Sequence, residues 1–286
     1  MFIQVLPGIL VLCDNRAASQ LDPELHENIG KECTRSCCDL DDHLGAIGYS
    51  DIIRFVEEAQ FKVKSRKGRF VVLATDVDIK SMQNSVFLLG CYLILELGFK
   101  SEDAWDRFLP IHPLVEGPRC KHGLHLLDCW HGLEHANKLG WIAAMDPAEH
   151  AHYDNPHEGD LHTIVPDRLI LLRCPQDLPD GAAYRDERGV RSFSAGFYVE
   201  PFDDMAVSVV VALGPPAYDP APLAAAGIRC VRIDADSKSP LTVAAAAAFS
   251  KAMDLAAALG GENRNGARKG SAVVDKTEKY CARTAA

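Results

Sequence analysis

The sequence predicts an α/β protein of two tandem layered domains, the second incomplete. Strand-like and helix-like segments alternate in both halves. An acidic stretch bearing Pro147, Pro156 and Gly159 separates them, and the last residues, Glu262 to Ala286, read as a polar, disordered tail. A chain of 286 residues has room for two domains of ordinary size.

Taken in order, Val5 to Cys13 reads as a strand bounded by Pro7-Gly8 and Asp14-Asn15, and Ala17 to Leu44 as loops and turns. Ser50 to Val63 has Ile52, Ile53, Phe55, Val56 and Ala59 at helical spacing behind a Ser50 or Asp51 cap. Phe70 to Ala74 is a buried strand. After the polar loop Thr75 to Lys80, the apolar helix Ser81 to Leu97 ends at Gly98. Ser101 to Phe108 starts a helix with Glu102 and Asp103 in its first turn, and His122 to Leu139 is helical with Leu126, Leu127, Trp130, Leu133 and Ala136 on one face.

Asp146 to Val165 is the predicted connector. Beyond it come strands at Leu169 to Leu172, Val207 to Leu213 and Val231 to Ile233. A short helix spans Tyr218 to Ala226, and an Ala-rich helix spans Leu241 to Leu259. The predicted boundaries are therefore residues 1–145, a connector at 146–165, a partial second domain at 166–261, and the tail at 262–286.

Composition excludes several classes. A net charge of −10 argues against a nucleic-acid surface, which needs clustered Lys and Arg, and suits a basic partner. The longest apolar stretch, Val86 to Leu97, is about twelve residues and contains Glu96, whereas a membrane span needs roughly twenty. Met1 to Cys13 lacks the basic start of an export signal. The expected location is thus cytoplasm or nucleus, with the ten cysteines as reduced thiols.

Several strings resemble one family: LLDCWHGLEHANKLGW (Leu126 to Trp141), EHAHYDNPHEGDLHTIVPDRLI (Glu149 to Ile170), AAGIRCVRIDADSKSP (Ala225 to Pro240), and upstream GRFVVLATDVDIKSMQNSVFLLGCYLILELGFKSEDAW (Gly68 to Trp105). In order and spacing they are similar to the Cdc-fourteen family of dual-specificity protein phosphatases, from about Val5 to Gly261. The resemblance implies two tandem phosphatase-like domains, the first without catalytic residues and the second catalytic. It also implies phosphoprotein substrates with phosphoserine before proline and a basic residue nearby. No cofactor is implied.

Such enzymes attack phosphorus with a Cys thiolate. An Arg six residues later clamps the phosphoryl oxygens, and an Asp on another loop protonates the leaving oxygen. The loop lies between a strand and a helix N-terminus, where backbone N–H groups favour the anion. None of Cys13, Cys33, Cys37, Cys38, Cys91, Cys120, Cys129, Cys174 and Cys230 has Arg six positions on, and Cys281 has too little chain after it. The resemblance maps the general acid onto Asp236, four residues before Pro240, with Ser237 where the family has Gly. Without a nucleophile that role is vestigial, and the sequence predicts no phosphatase activity. The competing reading is a non-enzymatic protein that binds a phosphorylated or basic partner.

Other clusters carry blander expectations. Thr75 to Lys80 occupies the loop position of the first domain, but Asp76 and Asp78 would repel phosphate. Cys120, His122, His125, Cys129, His131 and His135 raise a zinc site, yet packing and surface roles account for them, and no metal is predicted. His150, His152, His157 and His162 are expected as solvated side chains of the connector. The Ala244 to Ala248 run is a packed helix. A second domain lacking its central strand would be loose, with proteolysis sparing residues up to about Ala144.

Overall fold

The computed structural model describes residues 1–29, 47–115, 125–187, 189–216, 218–235, 241–259 and 271–276. The chain has the predicted α/β class and divides into two compact units, Met1–Pro147 and Ala148–Ala286.

In the first unit, the segment predicted as one strand is a hairpin. Strand β1 (Phe2–Leu6) runs antiparallel to β2 (Leu10–Asp14), and the chain reverses at Pro7-Gly8, where Gly8 takes a positive φ of 71°. The sequence marks that turn as a strand boundary, although two apolar runs flanking Pro-Gly also specify a reversal. The predicted loop after it contains α1 (Asn15–Ala18) and β3 (His26–Asn28). Helix α2 (Tyr49–Ser65) and strand β4 (Phe70–Thr75) follow, and the sheet runs β1-β2-β4-β3 with its last three strands parallel.

Helix α3 (Ile79–Leu95) is the axis of this unit. Eleven of its seventeen residues are buried, which explains why it reads as apolar all round rather than amphipathic. Helices α4 (Ser101–Asp106), α5 (His112–Val115), α6 (Leu126–Lys138) and α7 (Trp141–Ala144) complete the unit. Trp130 of α6 is fully buried beside Gly90 of α3, and its Nε1 donates to the Phe87 carbonyl at 3.1 Å. Only a glycine fits at position 90, because a Cβ there would lie 1.9 Å from the Trp130 ring.

The second unit opens with α8 (Pro147–Tyr153), β5 (Leu161–Val165) and β6 (Leu169–Arg173). The predicted connector therefore contributes a helix and an edge strand, with β5 antiparallel to β6. A hairpin of β7 (Tyr184–Glu187) and β8 (Val190–Phe193), then α9 (Val199–Asp204), precede β9 (Val207–Leu213), α10 (Ala221–Ala225), β10 (Arg229–Ile233) and α11 (Val243–Leu259).

The principal correction lies in the predicted tail. Ser271–Lys276 forms β11, in parallel register with both β9 and β6, and the sheet order is β10-β9-β11-β6-β5. Ala272, Val273 and Val274 are almost wholly buried, Val273 in the core on one face and its two neighbours in the core on the other. Residues 262–286 are thus not a disordered tail throughout, and the strand expected to be missing from the middle of the sheet is present. The expectation of a loose second domain loses its basis with it. Among the described residues no helix is long and apolar enough to cross a membrane.

Candidate functional site

The order in which the second sheet is built marks one edge of it. The chain lays down β6, moves to β9 and β10, and returns to insert β11 between β6 and β9. In open parallel sheets such a switch of direction leaves a crevice at the carboxyl ends of the strands, where ligands bind. Register puts four of those ends side by side: Lys276 pairs with both Leu213 and Arg173, and Leu213 pairs with Ile233 of β10.

The loop carrying the predicted general acid leaves the same edge. Its first residue, Asp234, is exposed and held by Arg232, whose Nη2 and Nε donate at 2.9 and 3.1 Å. Asp236 itself lies outside the described residues, as do Cys33, Cys37, Cys38, Cys120 and Cys281. Among the described thiols, burial pushes Cys13 up to about 11, and burial raises fully enclosed Cys91 as well. A phosphate-attacking thiol needs the opposite shift. Cys174, directly after β6, is buried in the same core as Tyr198 and Phe202.

In the first unit the strand-loop-helix from β4 to α3 also points a helix N-terminus at a loop. Asp78 occupies it as N-cap, accepting from Ser81 N at 2.9 Å, and Ser81's hydrogen bonds hold the carboxyl below its ordinary range. Asp76 accepts from the Asn15 side-chain amide. The chain's own carboxylate fills the place where an anion would otherwise sit, and the expected structural role of Thr75 to Lys80 acquires a mechanism. Elsewhere in this unit, Leu97, Gly98, Phe99, Asp103, Asp106 and Arg107 line an open pocket of about 530 Å³, with the Arg107 guanidinium 5.1 Å above the Phe99 ring.

Two of the imidazoles weighed as zinc ligands, His125 and His131, have other partners, while Cys120 and His122 lie outside the described residues. His125 caps α6 in a capping box with Asp128 and meets Trp105 edge-on, while His131 Nε2 lies 2.8 Å from Glu102. Among the described residues no group of three or more His, Cys, Asp and Glu is placed to hold a metal ion.

The histidines of the predicted connector divide into two kinds. His152 and His157 are exposed, as expected, but His150 is only 8% exposed and His162 is half-buried in a charged row. His162 bonds Asp154 through Nδ1, and its Nε2 lies 3.2 Å from Asp160. Asp160 also ion-pairs with Arg173 Nε at 2.8 Å. The two carboxylates, Asp154 first, lift His162 to about 9. Burial lowers His150, against the opposing pull of Asp154, whose Oδ2 is 3.9 Å away. Sequence reasoning missed this row because Asp160 reaches it from a turn at φ 54°, which composition does not announce.

Comparison with known proteins agrees with the motifs. Residues 41–136, inside the first unit, match the family described as dual specificity protein phosphatase, N-terminal half. The chain is 27% identical over 186 residues to the dual specificity protein phosphatase CDC14C of Symphalangus syndactylus, covering 61% of this chain and 37% of that protein. It is also 27% identical to CDC14C of Homo sapiens, over 61% of this chain and 40% of the relative. The tyrosine-protein phosphatase cdc-14 of Caenorhabditis elegans is 28% identical over 181 residues, 58% of this chain and 25% of that protein. The chain thus spans two-fifths or less of the length of these curated relatives.

Proposed function

We propose, for a chain that is Cdc14-like and carries the amino-terminal half of a dual-specificity phosphatase, that it engages phosphoprotein through this scaffold without hydrolysing it. The observation that carries the reading is the sequence at the end of the central strand. The family's nucleophilic loop lies between a strand and a helix N-terminus. Here β11 runs Ser-Ala-Val-Val-Asp-Lys and ends on Asp275-Lys276, and the next thiol, Cys281, comes only after Thr277, Glu278, Lys279 and Tyr280. Among the described residues, Cys13 at the end of β2 and Cys174 directly after β6 have Ser19 and Asp180, not Arg, six positions further on. The resemblance gives Asp236 the place of a general acid, a role that is vestigial on this reading.

The family resemblance supplies the ligand class: a phosphoserine followed by proline, with a basic residue nearby. The test is a pair of measurements on purified full chain. We expect no hydrolysis of para-nitrophenyl phosphate or of a phosphoserine-proline peptide above a mock preparation, together with saturable binding of that peptide. Turnover that survives repurification would overturn the inactive reading. Absence of binding would overturn the scaffold reading.

A second reading, recognition of a basic peptide irrespective of phosphate, is favoured by the pocket bearing Asp103 and Asp106 on a chain of net charge −10. Binding of the unphosphorylated basic peptide with equal affinity, lost as salt rises, would select it over the first.

A further inference from the structure

The row at the start of the second unit alternates base and acid without interruption: His150, Asp154, His162, Asp160, Arg173. Its members come from five places. His150 belongs to α8, Asp154 directly follows that helix, Asp160 sits in the turn before β5, and His162 and Arg173 lie on β5 and β6. The row therefore fastens a helix to the β5–β6 side of the sheet. We propose that it is a pH-responsive latch, holding α8 in place at neutral pH and loosening it when His150 takes up a proton under mildly acidic conditions.

Charge matching gives the argument. With His162 as imidazolium and His150 neutral, two cations face two carboxylates and the row is balanced. Both carboxylates are then already matched, Asp154 by His162 and Asp160 by Arg173. A proton arriving on His150 creates an excess positive charge at a residue that is 8% exposed, and relief comes from moving the ring into water. The low affinity of buried His150 for a proton and the high affinity of His162 are consistent with this order of charging.

Other titratable groups belong to the elements around the row. Glu149, His152 and Tyr153 come from α8, and Glu200 and Asp204 act on Tyr153 from α9. Cys174 and Tyr198 lie beneath, with the Tyr198 hydroxyl donating to the Gly159 carbonyl at 2.8 Å. Besides His150, only exposed His152 is an imidazole on this helix, so it is the natural control. The last rung also connects the row to the proposed ligand edge, since Arg173 is the register partner of Lys276.

The experiment follows amide hydrogen exchange of residues 148–153 in the full chain at pH 7.5 and 5.5, corrected for intrinsic rates, in the wild type, His150→Gln and His152→Gln. Protection should fall about tenfold at the lower pH in wild type and His152→Gln, the equivalent of one unit of proton affinity, and stay level in His150→Gln. An unchanged wild type, or a His150→Gln chain that loosens as the wild type does, overturns the latch. Ring-nitrogen NMR of wild-type protein covers the case in which a variant fails to fold. His150 titrating at or above the ordinary imidazole value overturns the proposal, and titration below it in step with the loss of protection upholds it.

Discussion

Replacing Val273 by Ala removes two carbons from the middle of the second sheet. The side chain is fully buried, in a core shared with Ile170, Leu172, Val210, Phe202 and Tyr198. Two carbons are worth about 0.8 kcal/mol each in transfer, and the cavity left between paired strands adds to that, for a total of about 2–3 kcal/mol. A typical domain is stable by about 5–15 kcal/mol, so the unfolded fraction of this unit should rise thirtyfold or more. Val243→Ala is the matched control: the same two carbons leave a side chain that is 89% exposed at the start of α11, and the effect should stay within about 0.5 kcal/mol. The assay must read the second unit directly, because Trp105, Trp130 and Trp141 all lie in Met1–Pro147 and tryptophan fluorescence would report the other one. Pulse proteolysis in urea, followed by quantifying peptides from residues 161–259, meets that need. If Val273→Ala and Val243→Ala unfold at the same urea concentration, residues 271–276 are not a strand in this sheet and the correction drawn from them fails.

Gly90→Ala should destabilise the first unit by about 2 kcal/mol or more, because the overpacking against Trp130 outweighs the ~1 kcal/mol that Ala gains in a helix; a lowered midpoint in tryptophan-monitored unfolding checks it. His162 binds its proton more tightly folded than unfolded, so its contribution is complete below about pH 6.5 and disappears as pH rises towards 9. Since the side chain is 36% exposed, solvent screening reduces the effect to about 1–2 kcal/mol. His162→Gln should flatten the stability of the second unit between pH 6.5 and 9, and an unaltered slope would exclude the Asp154 and Asp160 contacts as its source.

Most of the α/β alternation was legible because the long elements carry strong periodicity or strong burial. Helices α2, α3 and α11 and strands β4, β6 and β9 announce themselves by runs that can be buried in only one way. Strand β11 did not. Its apolar part is just Ala272-Val273-Val274, set between Arg268-Lys269-Gly270 and Asp275-Lys276, and a short run among charges reads as loop until its partners on both sides are known. The hairpin β7–β8 was missed for a related reason: Tyr184 to Glu187 is exposed throughout and is organised by Arg191, which grips Asp186 with two 2.8 Å bonds and lies 4.1 Å over the Tyr184 ring. The candidate edge itself was half legible. Sequence offered only an expected role for Asp236, which lies outside the described residues, whereas the switch in strand order that creates the edge is a property of topology alone.

That topology also sets the timetable of assembly. Ala272 must find Leu169 and Val209 before the second sheet is continuous, so on a ribosome β6 and β9 are made long before the strand that separates them. Until then each has a bare backbone edge free to pair wrongly, with its neighbour or with another nascent chain. Contacts so distant along the chain also slow folding. The interval before β11 arrives is when this polypeptide most needs a chaperone.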